Sequence, residues 1–329
     1  MATAREMTSQ ERVRAASMTA EVDRPPISLW SHFPERDQTV ADLTASTLAW
    51  QERYRFDFVK FMPPGDYTTI DWGAESVYEG APGGTRSTTR FPIERIEDWG
   101  QLGPVDVRAG FNGIILEALR QSRHELDRDV PILQTIFTPL IIAQKLSHDQ
   151  AVAHLRERPD LLHTALDVIA TTTRALVEAS FEVGADGIFL AVRTADFGVT
   201  TETEYREFGL PYDLRVLAAV PDSAITILHF HGEQPMLHLA ADYPPGILNW
   251  HDRRTTTNLG EGQKTSGRPV AGGINERAMP TASPEEIAAE VRDAITQTGG
   301  RGVLITPGCV VPFAAPEANF RAATAAIVG

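Results

Sequence analysis

Cysteine is nearly absent from this chain, because Cys309 is the only one among 329 residues. A disulfide within the chain is therefore excluded, and nothing indicates an oxidising compartment. Apolar runs of about 18 residues are also missing, so we expect no membrane span. Residues 1–24 lack the apolar core of a secretory signal, which makes the cytoplasm the expected location.

Positive charge is scarce as well. The chain has 30 Lys and Arg against 44 Asp and Glu, a net charge of -14, and shows no basic stripe. Nucleic acid is therefore excluded as an expected partner. An anionic small-molecule substrate would need a local basic pocket, since the overall field does not attract it. The hydrophobic fraction of 42% is ordinary for a globular protein with a sizeable core.

Short apolar runs alternate with helical periodicity along the chain. The predicted strands are 27–33, 57–63, 131–137, 187–193, 224–231, 247–251, 269–274 and 303–306. The predicted helices include 37–54, 111–127, 148–157, 159–183, 202–219, 284–298 and 316–327. Eight strands alternating with helices predict an α/β fold, a (β/α)8 TIM barrel. A doubly wound sheet is the alternative, but no G-x-G-x-x-G follows the first strand.

We interpret residues 1–329 as one barrel domain in which residues 1–25 form a short N-terminal helical extension. Capping boxes predict helix starts at Thr8-Ser9-Gln10-Glu11 and Ser147-His148-Asp149-Gln150. Ser283 before Pro284 predicts a third start. Residues 64–108 have no clear period, and we expect them to form a long excursion over the barrel mouth. The helix-rich outer surfaces of barrels often pair with a second copy of the chain, so the sequence leaves a homodimer as one of the alternatives for the oligomeric state.

The end of the fifth predicted strand carries two histidines. Side chains alternate across a strand, so His229 and His231 share a face, while Leu228 and Phe230 face the helices. Cys309 follows a Pro-Gly turn at the end of the eighth strand. These three residues predict a tetrahedral zinc site with an open fourth position. The alternative is hydrogen-bonded imidazoles beside a cysteine that serves as a small apolar residue.

Other polar residues lie near strand ends or on the excursion. Asn249 and His251 share a face of the sixth strand, where either can bind substrate, and Asp252 can orient a histidine; a polar strand end is the alternative. Carboxylates can be held by arginines near strand ends, although surface ion pairs are the alternative: Arg36, Arg193, Arg253 and Arg254. The excursion offers residues for a lid or substrate wall, with a packed surface loop as the alternative: Asp66, Tyr67, Asp71 and Trp72.

The chain resembles the uroporphyrinogen decarboxylase superfamily, which includes zinc-dependent cobamide methyltransferases. The resemblance runs over nearly the whole chain. Its pieces are Glu11-Arg12-Val13, Asp23-Arg24-Pro25-Pro26, Gly184-Ala185-Asp186-Gly187, Glu204-Tyr205-Arg206-Glu207-Phe208 with Pro211-Tyr212, Leu228-His229-Phe230-His231-Gly232, Gly272-Gly273-Ile274-Asn275 and Pro307-Gly308-Cys309. It implies a (β/α)8 barrel.

The methyltransferase branch carries His-x-Cys on the fifth strand and a final Pro-Gly-Cys. The resemblance therefore implies His229 and Cys309 as zinc ligands, with His231 where that branch has cysteine. It also implies a corrinoid on a partner protein as the methyl donor. Glu233, His251, Asp252 and water are the alternatives for the fourth zinc ligand.

The decarboxylase branch has Arg-Gln-Ala-Gly-Arg after the first strand, where this chain has Ser31-His32-Phe33-Pro34-Glu35-Arg36. Uroporphyrinogen decarboxylation is therefore not favoured. Three hypotheses follow. The first is a methyltransferase that acts on a small thiol. The second is a metal-free decarboxylase-like enzyme in which Asp66 or His32 handles a proton. The third is a non-catalytic barrel that binds a tetrapyrrole or corrinoid.

Overall fold

The computed structural model describes residues 6–327. Residues 1–5 of the predicted N-terminal extension, and residues 328–329, lie outside this range. The strands are β1 Val59–Phe61, β2 Glu75–Val77, β3 Ser87–Arg90, β4 Ile132–Phe137, β5 Gly187–Val192, β6 Ile225–Phe230, β7 Ile247–Trp250, β8 Val270–Ile274 and β9 Val303–Pro307.

The helices surround one main sheet. They are α1 Ser9–Ser17, α2 Val40–Tyr54, α3 Tyr67–Ile70, α4 Gly110–Glu125, α5 Pro139–Leu146, α6 Ala151–Glu157, α7 Pro159–Glu182, α8 Glu202–Phe208, α9 Leu210–Leu217, α10 Leu259–Ser266, α11 Pro284–Thr298 and α12 Glu317–Ala326, with 3-10 helices at Ile96–Gln101 and Leu237–Asp242. In the described part of the chain, no helix is both long and apolar enough to cross a membrane.

Seven parallel strands form the main sheet in the order β1-β4-β5-β6-β7-β8-β9. The segment at Ile27 joins its two edges. Ser28 N–H donates to the Ile305 carbonyl at 3.0 Å, and Asp57 N–H donates to the Ile27 carbonyl at 2.9 Å. The predicted TIM barrel is confirmed, with this segment in the place of the eighth strand.

The predicted first strand, residues 27–33, is reduced to a single bridge between Ile27 and Ile305. Side chains replace part of the missing ladder. Ser28 Oγ donates to the Phe58 carbonyl at 2.7 Å, and Ser31 Oγ donates to the Val311 carbonyl at 2.8 Å. A serine hydroxyl can donate a hydrogen bond to a backbone carbonyl and so take the place of a strand hydrogen bond.

Buried apolar residues separate into a cluster in the barrel lumen and a larger one beneath the helices. Ile225 and Ile227 belong to the inner cluster, and Leu228 and Phe230 to the outer one. The alternation predicted for this strand is therefore confirmed. Val13 of α1 belongs to the inner cluster, so the N-terminal helix packs against the amino end of the barrel.

Two of the three predicted helix starts are confirmed. Thr8 and Ser283 each cap a helix and complete a capping box. The box predicted at Ser147 is wrong, because His148 and Asp149 adopt positive φ angles of 52° and 59° and α6 begins at Ala151.

Some predicted helices differ in extent. The predicted helix 202–219 is two helices, α8 and α9, that meet at Gly209 just before Pro211, whose ring supplies no N–H donor. Helices α5 and α10 were not predicted. The excursion 64–108 contains α3, the β2–β3 hairpin and a 3-10 helix. Gly65, Gly83 and Thr85 line the cavity described next, which places the excursion at the barrel mouth.

Candidate metal centre

A cavity of about 340 Å³ lies at the carboxyl ends of the parallel strands. This is the end of a barrel where substrates bind and react. Its lining includes four side chains that can bind a metal: His229, His231, His251 and Cys309.

Three of these side chains converge. His229 lies on β6, His251 directly follows β7, and Cys309 follows β9. One ligand atom of each lies within 4.8 Å of the other two. The two imidazoles are buried, and Cys309 is half-buried. We call these three residues the metal triad. Two nitrogens and one sulfur form a donor set that suits zinc and leaves a fourth position for substrate.

Asn249 fixes the orientation of His229. Its Nδ2 donates to the Ala271 carbonyl at 2.8 Å, so its Oδ1 faces the imidazole. Nδ1 of His229 lies 2.6 Å from that oxygen and is therefore the protonated nitrogen. Nε2 keeps its lone pair for a ligand. A metal-binding histidine commonly has such a partner on its other nitrogen.

The surroundings of His251 are a second observation on whether the triad suits a metal ion. Its Nε2 is buried and has no hydrogen-bond partner. Its Nδ1 lies 3.2 Å from Oε1 of Glu276 and 2.6 Å from NH2 of Arg254. Arg254 also forms an ion pair with Glu276 at 2.9 Å. Arg254 can only donate and Glu276 can only accept, so the tautomer of His251 depends on which of them Nδ1 engages. In the tautomer in which Nδ1 donates to Glu276, Nε2 is an acceptor without a donor, and a cation in the triad would satisfy it.

Burial sets the protonation of His229 and Cys309. It lowers the pKa of His229 well below the usual range, helped by the neighbouring imidazoles of His231 and His251. Burial has the opposite effect on an acid, and it raises the pKa of the Cys309 thiol. The imidazole is therefore neutral, as metal binding requires, while a metal that binds Cys309 must displace its proton.

His231 lies beside the metal triad. Its ring centroid is 5.6 Å from that of His229 and 4.8 Å from that of His251. The shared face predicted for His229 and His231 brings both to the cavity, yet His251 is the second imidazole of the converging set. Burial lowers the pKa of His231 to about 3, so it too is neutral.

Three further sequence candidates line the same cavity: His32, Arg193 and Arg254. His32 is buried, its Nδ1 has no hydrogen-bond partner, and burial lowers its pKa to about 3. Arg193 is exposed at the cavity.

The other candidates do not contribute to the cavity lining: Arg36, Asp66, Tyr67, Asp71, Trp72, Glu233, Asn249, Asp252 and Arg253. Tyr67 is fully buried and donates to the Thr135 carbonyl at 2.6 Å. Asp252 lies behind the wall, where it accepts the Gly273 N–H at 3.1 Å. Arg36 is exposed and pairs with Asp42 at 3.5 Å.

Sequence reasoning missed four charged residues of the lining: Lys60, Lys145, Glu276 and Arg277. Burial lowers the pKa of Lys60 to about 7 and that of Lys145 to about 8. The signal for Lys60 was present, because it interrupts the apolar run of β1 at an inward position between Phe58 and Met62.

The sequence comparisons agree with this architecture. The family model for uroporphyrinogen decarboxylase (URO-D) matches residues 8–328. Methylcobamide:CoM methyltransferase MtbA of Methanosarcina acetivorans is 23% identical over 96% of this chain and 96% of its own. Uroporphyrinogen decarboxylase of Coxiella burnetii is 26% identical over 72% of this chain and 68% of its own.

Solved structures share the fold. A methyltransferase from Methanosarcina mazei has a TM-score of 0.85 at 23% identity and covers 98% of both chains. A B12-independent methionine synthase from Shewanella sp. W3-18-1, in complex with selenomethionine, has a TM-score of 0.65 at 13% identity. It covers 92% of this chain and 97% of its own. The predicted resemblance is confirmed by the family match: the chain belongs to the uroporphyrinogen decarboxylase family.

Proposed function

We propose that this protein is a zinc-dependent methyltransferase that moves a methyl group between a corrinoid on a partner protein and a small thiol. The convergence of His229, His251 and Cys309 at the cavity supports this proposal most strongly. A decarboxylation in which basic side chains alone hold the substrate gives this donor set no role.

The metal triad would hold the zinc ion. A zinc ion bound there lowers the pKa of a thiol and keeps it as a nucleophilic thiolate at neutral pH. His231, directly beside the triad, is the alternative donor that the sequence suggested. Asn249 contacts Nδ1 of His229, and Arg254 and Glu276 both contact Nδ1 of His251, so Nε2 of each imidazole is the atom left for a metal.

The remaining lining residues exclude water and leave room for substrate. Trp30 and Phe189 pack edge to face at 5.4 Å between ring centroids, and both border the cavity. Apolar walls weaken the solvation of a thiolate, which makes it a stronger nucleophile. The cavity opens at the barrel mouth, where a corrinoid carried by another protein can approach.

The relatives add support from sequence. The methylcobamide:CoM methyltransferase match spans nearly the full length of both chains, whereas the decarboxylase match covers 72% of this one. The chain also lacks the second arginine of the decarboxylase run after the first strand.

The test is methyl transfer from free methylcob(III)alamin to a thiol by the zinc-loaded protein. The methyl group leaves cobalt without its bonding electrons, the thiol loses its proton, and the products are a thioether and cob(I)alamin. Absorbance follows the corrinoid, and mass spectrometry identifies the thioether. His229→Ala and Cys309→Ala should each lower the rate at least about 100-fold, since a bound metal contributes several kcal/mol.

His124→Ala is the matched control, because this histidine lies on α4 with 77% of its side chain exposed. Its rate should equal that of the wild type. A wild-type protein that binds zinc yet transfers no methyl group to any thiol tested would contradict the proposal.

A metal-free decarboxylase-like enzyme is the second candidate, favoured by the buried Lys60 and the half-buried Lys145 in the cavity. His32 borders the cavity and can handle a proton there, whereas Asp66 lies outside the lining. Release of carbon dioxide from a small acid by zinc-free protein would favour this candidate. Corrinoid binding with neither reaction would favour the non-catalytic barrel.

A further inference from the structure

The first part of the excursion over the barrel mouth is firmly attached to the barrel. The hydroxyl of Tyr67 donates to the Thr135 carbonyl at 2.6 Å. The carboxylate of Asp71 accepts the N–H groups of Phe111 and Asn112 at 2.6 and 2.8 Å, in the first turn of α4. The first N–H groups of a helix have no partner within the helix, so a carboxylate stabilises them. These contacts fix residues 67–71 in place.

Residues 79–84 connect the two strands of the β2–β3 hairpin and have no such attachment. We call this Glu-Gly-Ala-Pro-Gly-Gly segment the hairpin loop. The Gly84 N–H donates to the Ala81 carbonyl at 2.8 Å, and the Tyr78 hydroxyl donates to the same carbonyl at 3.3 Å. Within residues 6–327, no other hydrogen bond involves the hairpin loop. A segment with so few hydrogen bonds opens at a low cost in free energy.

The hairpin loop nevertheless packs closely against the wall of the cavity at one residue. Gly84 is buried and has a φ of 75°. A Cβ placed on it would lie 2.6 Å from Cβ of His32 and 3.3 Å from Cδ of Pro34. Only glycine accepts both this backbone conformation and this contact. Gly83 and Thr85, on either side of Gly84, line the cavity, so the hairpin loop covers part of it.

Arg86 holds the hairpin loop in this position. Its Nη1 donates to the Pro34 carbonyl at 3.0 Å, and its Nε donates to Oγ of Ser76 at 3.2 Å. Nη1 also lies 3.7 Å from Oδ1 of Asp37, whose side chain is fully buried. An ion pair with a buried carboxylate is screened less by salt than one at the surface. A single side chain thus ties the hairpin to the segment that follows His32.

A second cavity lies beside the first. It measures about 280 Å³, and its lining includes His32, Pro34, Tyr78 and Phe313. His32 borders both cavities, and the hairpin leads from Tyr78 in the second cavity to Gly83 in the first. Phe313 is 47% exposed, so the second cavity reaches the surface of the protein. Movement of the hairpin loop away from His32 would therefore join the first cavity to the surface.

We propose that the hairpin loop is a lid, which opens to admit substrate by way of the second cavity and closes over the metal triad. In the closed state Gly84 lies on His32 and Arg86 lies against Asp37. Closure excludes water, which strengthens the electrostatic interactions inside a cavity and protects reactive groups there. The lid controls access to the cavity whichever reaction takes place in it, so this inference goes beyond the proposed methyl transfer.

The accessibility of Cys309 measures the opening of the lid, because this single cysteine lines the cavity. Zinc-free protein is treated with methyl methanethiosulfonate, which is small, and with 4,4′-dithiodipyridine, which is bulky and aromatic. Both reagents react with the same thiolate, so the ratio of their rates depends on access. Relative to glutathione, the wild type should disfavour the bulky reagent at least about tenfold, as expected when about 10% or less of the molecules are open.

Two variants should hold the lid open. Gly84→Ala adds a Cβ that cannot fit against His32, and it should raise the rate of the bulky reagent at least about fivefold without changing that of the small one. Gly83→Ala is the matched control, because no atom lies within 4 Å of its added Cβ and its φ is not positive. Arg86→Gln should act as Gly84→Ala does. Its control is Arg90→Gln, since Arg90 lies on the same hairpin with 64% of its side chain exposed.

Trypsin provides an independent measurement. The Arg86 side chain is 13% exposed, so cleavage after it requires the hairpin to leave its position. Gly84→Ala should be cleaved there at least about fivefold faster than Gly83→Ala, with mass spectrometry to identify the site. If Gly84→Ala fails to fold, Arg86→Gln and the wild-type ratio of reagent rates decide.

The lid and the proposed function fail separately. Equal reagent ratios in wild type, Gly84→Ala and Arg86→Gln would overturn the lid. A parallel rise with both reagents would also overturn it, because the change would then lie at Cys309 itself. Altered ratios in a protein that transfers no methyl group would contradict the proposed function and leave the lid standing.

Discussion

The substitution Asn249→Ala tests whether Asn249 orients a metal ligand or only fills the core. Asn249 is fully buried, and its Oδ1 accepts from Nδ1 of His229 at 2.6 Å while its Nδ2 donates to the Ala271 carbonyl at 2.8 Å. The substitution leaves both groups without a partner. It also frees the imidazole to rotate and to exchange its tautomer.

The magnitudes follow from these contacts. A buried polar group without a partner costs about 1–3 kcal/mol, so two of them should lower the free energy of unfolding by about 2–6 kcal/mol. Losing the partner of a metal-binding histidine typically weakens metal affinity about 10–100-fold. Asn249→Ala should therefore remain folded and bind zinc less tightly.

The assay is competition with a chromophoric zinc chelator, accompanied by urea unfolding of the zinc-free protein. Asn319→Ala is the matched control, because Asn319 is equally buried and donates to the Met279 and Ala282 carbonyls at 2.8 Å, away from the cavity. It should lose similar stability and keep the zinc affinity of the wild type. An unchanged zinc Kd in Asn249→Ala would refute the reasoning.

Two stability predictions concern other parts of the fold. Asp57→Ala removes a buried partner of Arg12 at 2.7 Å, although Arg12 keeps Asp23, and should cost about 3 kcal/mol in urea unfolding. A loss below about 1 kcal/mol would show that the N-terminal helix does not depend on this ion pair. Burial raises the pKa of Asp213 from 3.8 to about 7, so its contribution to stability is complete below about pH 4 and is lost as the pH rises toward about 7. Asp213→Asn retains an acceptor for the two tyrosine hydroxyls on this carboxylate and should flatten the fall in stability between about pH 4 and about pH 7, which unfolding at each pH would measure.

Local periodicity was sufficient to predict the barrel and the faces of its strands. The alternation in β6 placed Leu228 and Phe230 under the helices and both histidines toward the lumen. The reduced first strand could not be predicted in the same way. Its hydrogen bonds depend on serine side chains and on the closure of the ring, which involve residues far away in sequence.

The choice between His231 and His251 also depends on register. Parallel pairing sets His229 level with Asn249, which brings the amide onto the imidazole. His251 follows two residues later on the same face and reaches Cys309. Register between strands is set by the assembled barrel, so spacing along one strand cannot reveal it.

The contacts of the excursion over the barrel mouth were harder to predict than the register of the strands. It contains Tyr67 and Trp72, which were candidate substrate contacts, yet Tyr67 donates to the Thr135 carbonyl and Trp72 to the Gly103 carbonyl. Aromatic residues without periodicity give no indication of which surface they face. Lys60 was missed as well, although a cation at an inward strand position needs a partner and is therefore a signal that the sequence contains.

Zinc content, measured by mass spectrometry on protein purified without a His tag or chelator, tests the central claim most directly. The account predicts about one zinc ion per chain, retained in His124→Ala and lost in His229→Ala, His251→Ala and Cys309→Ala. Loss of zinc in His231→Ala but not in His251→Ala would show that His231, as the sequence suggested, is the second histidine ligand. Wild-type protein that binds no zinc even after reconstitution would contradict the account.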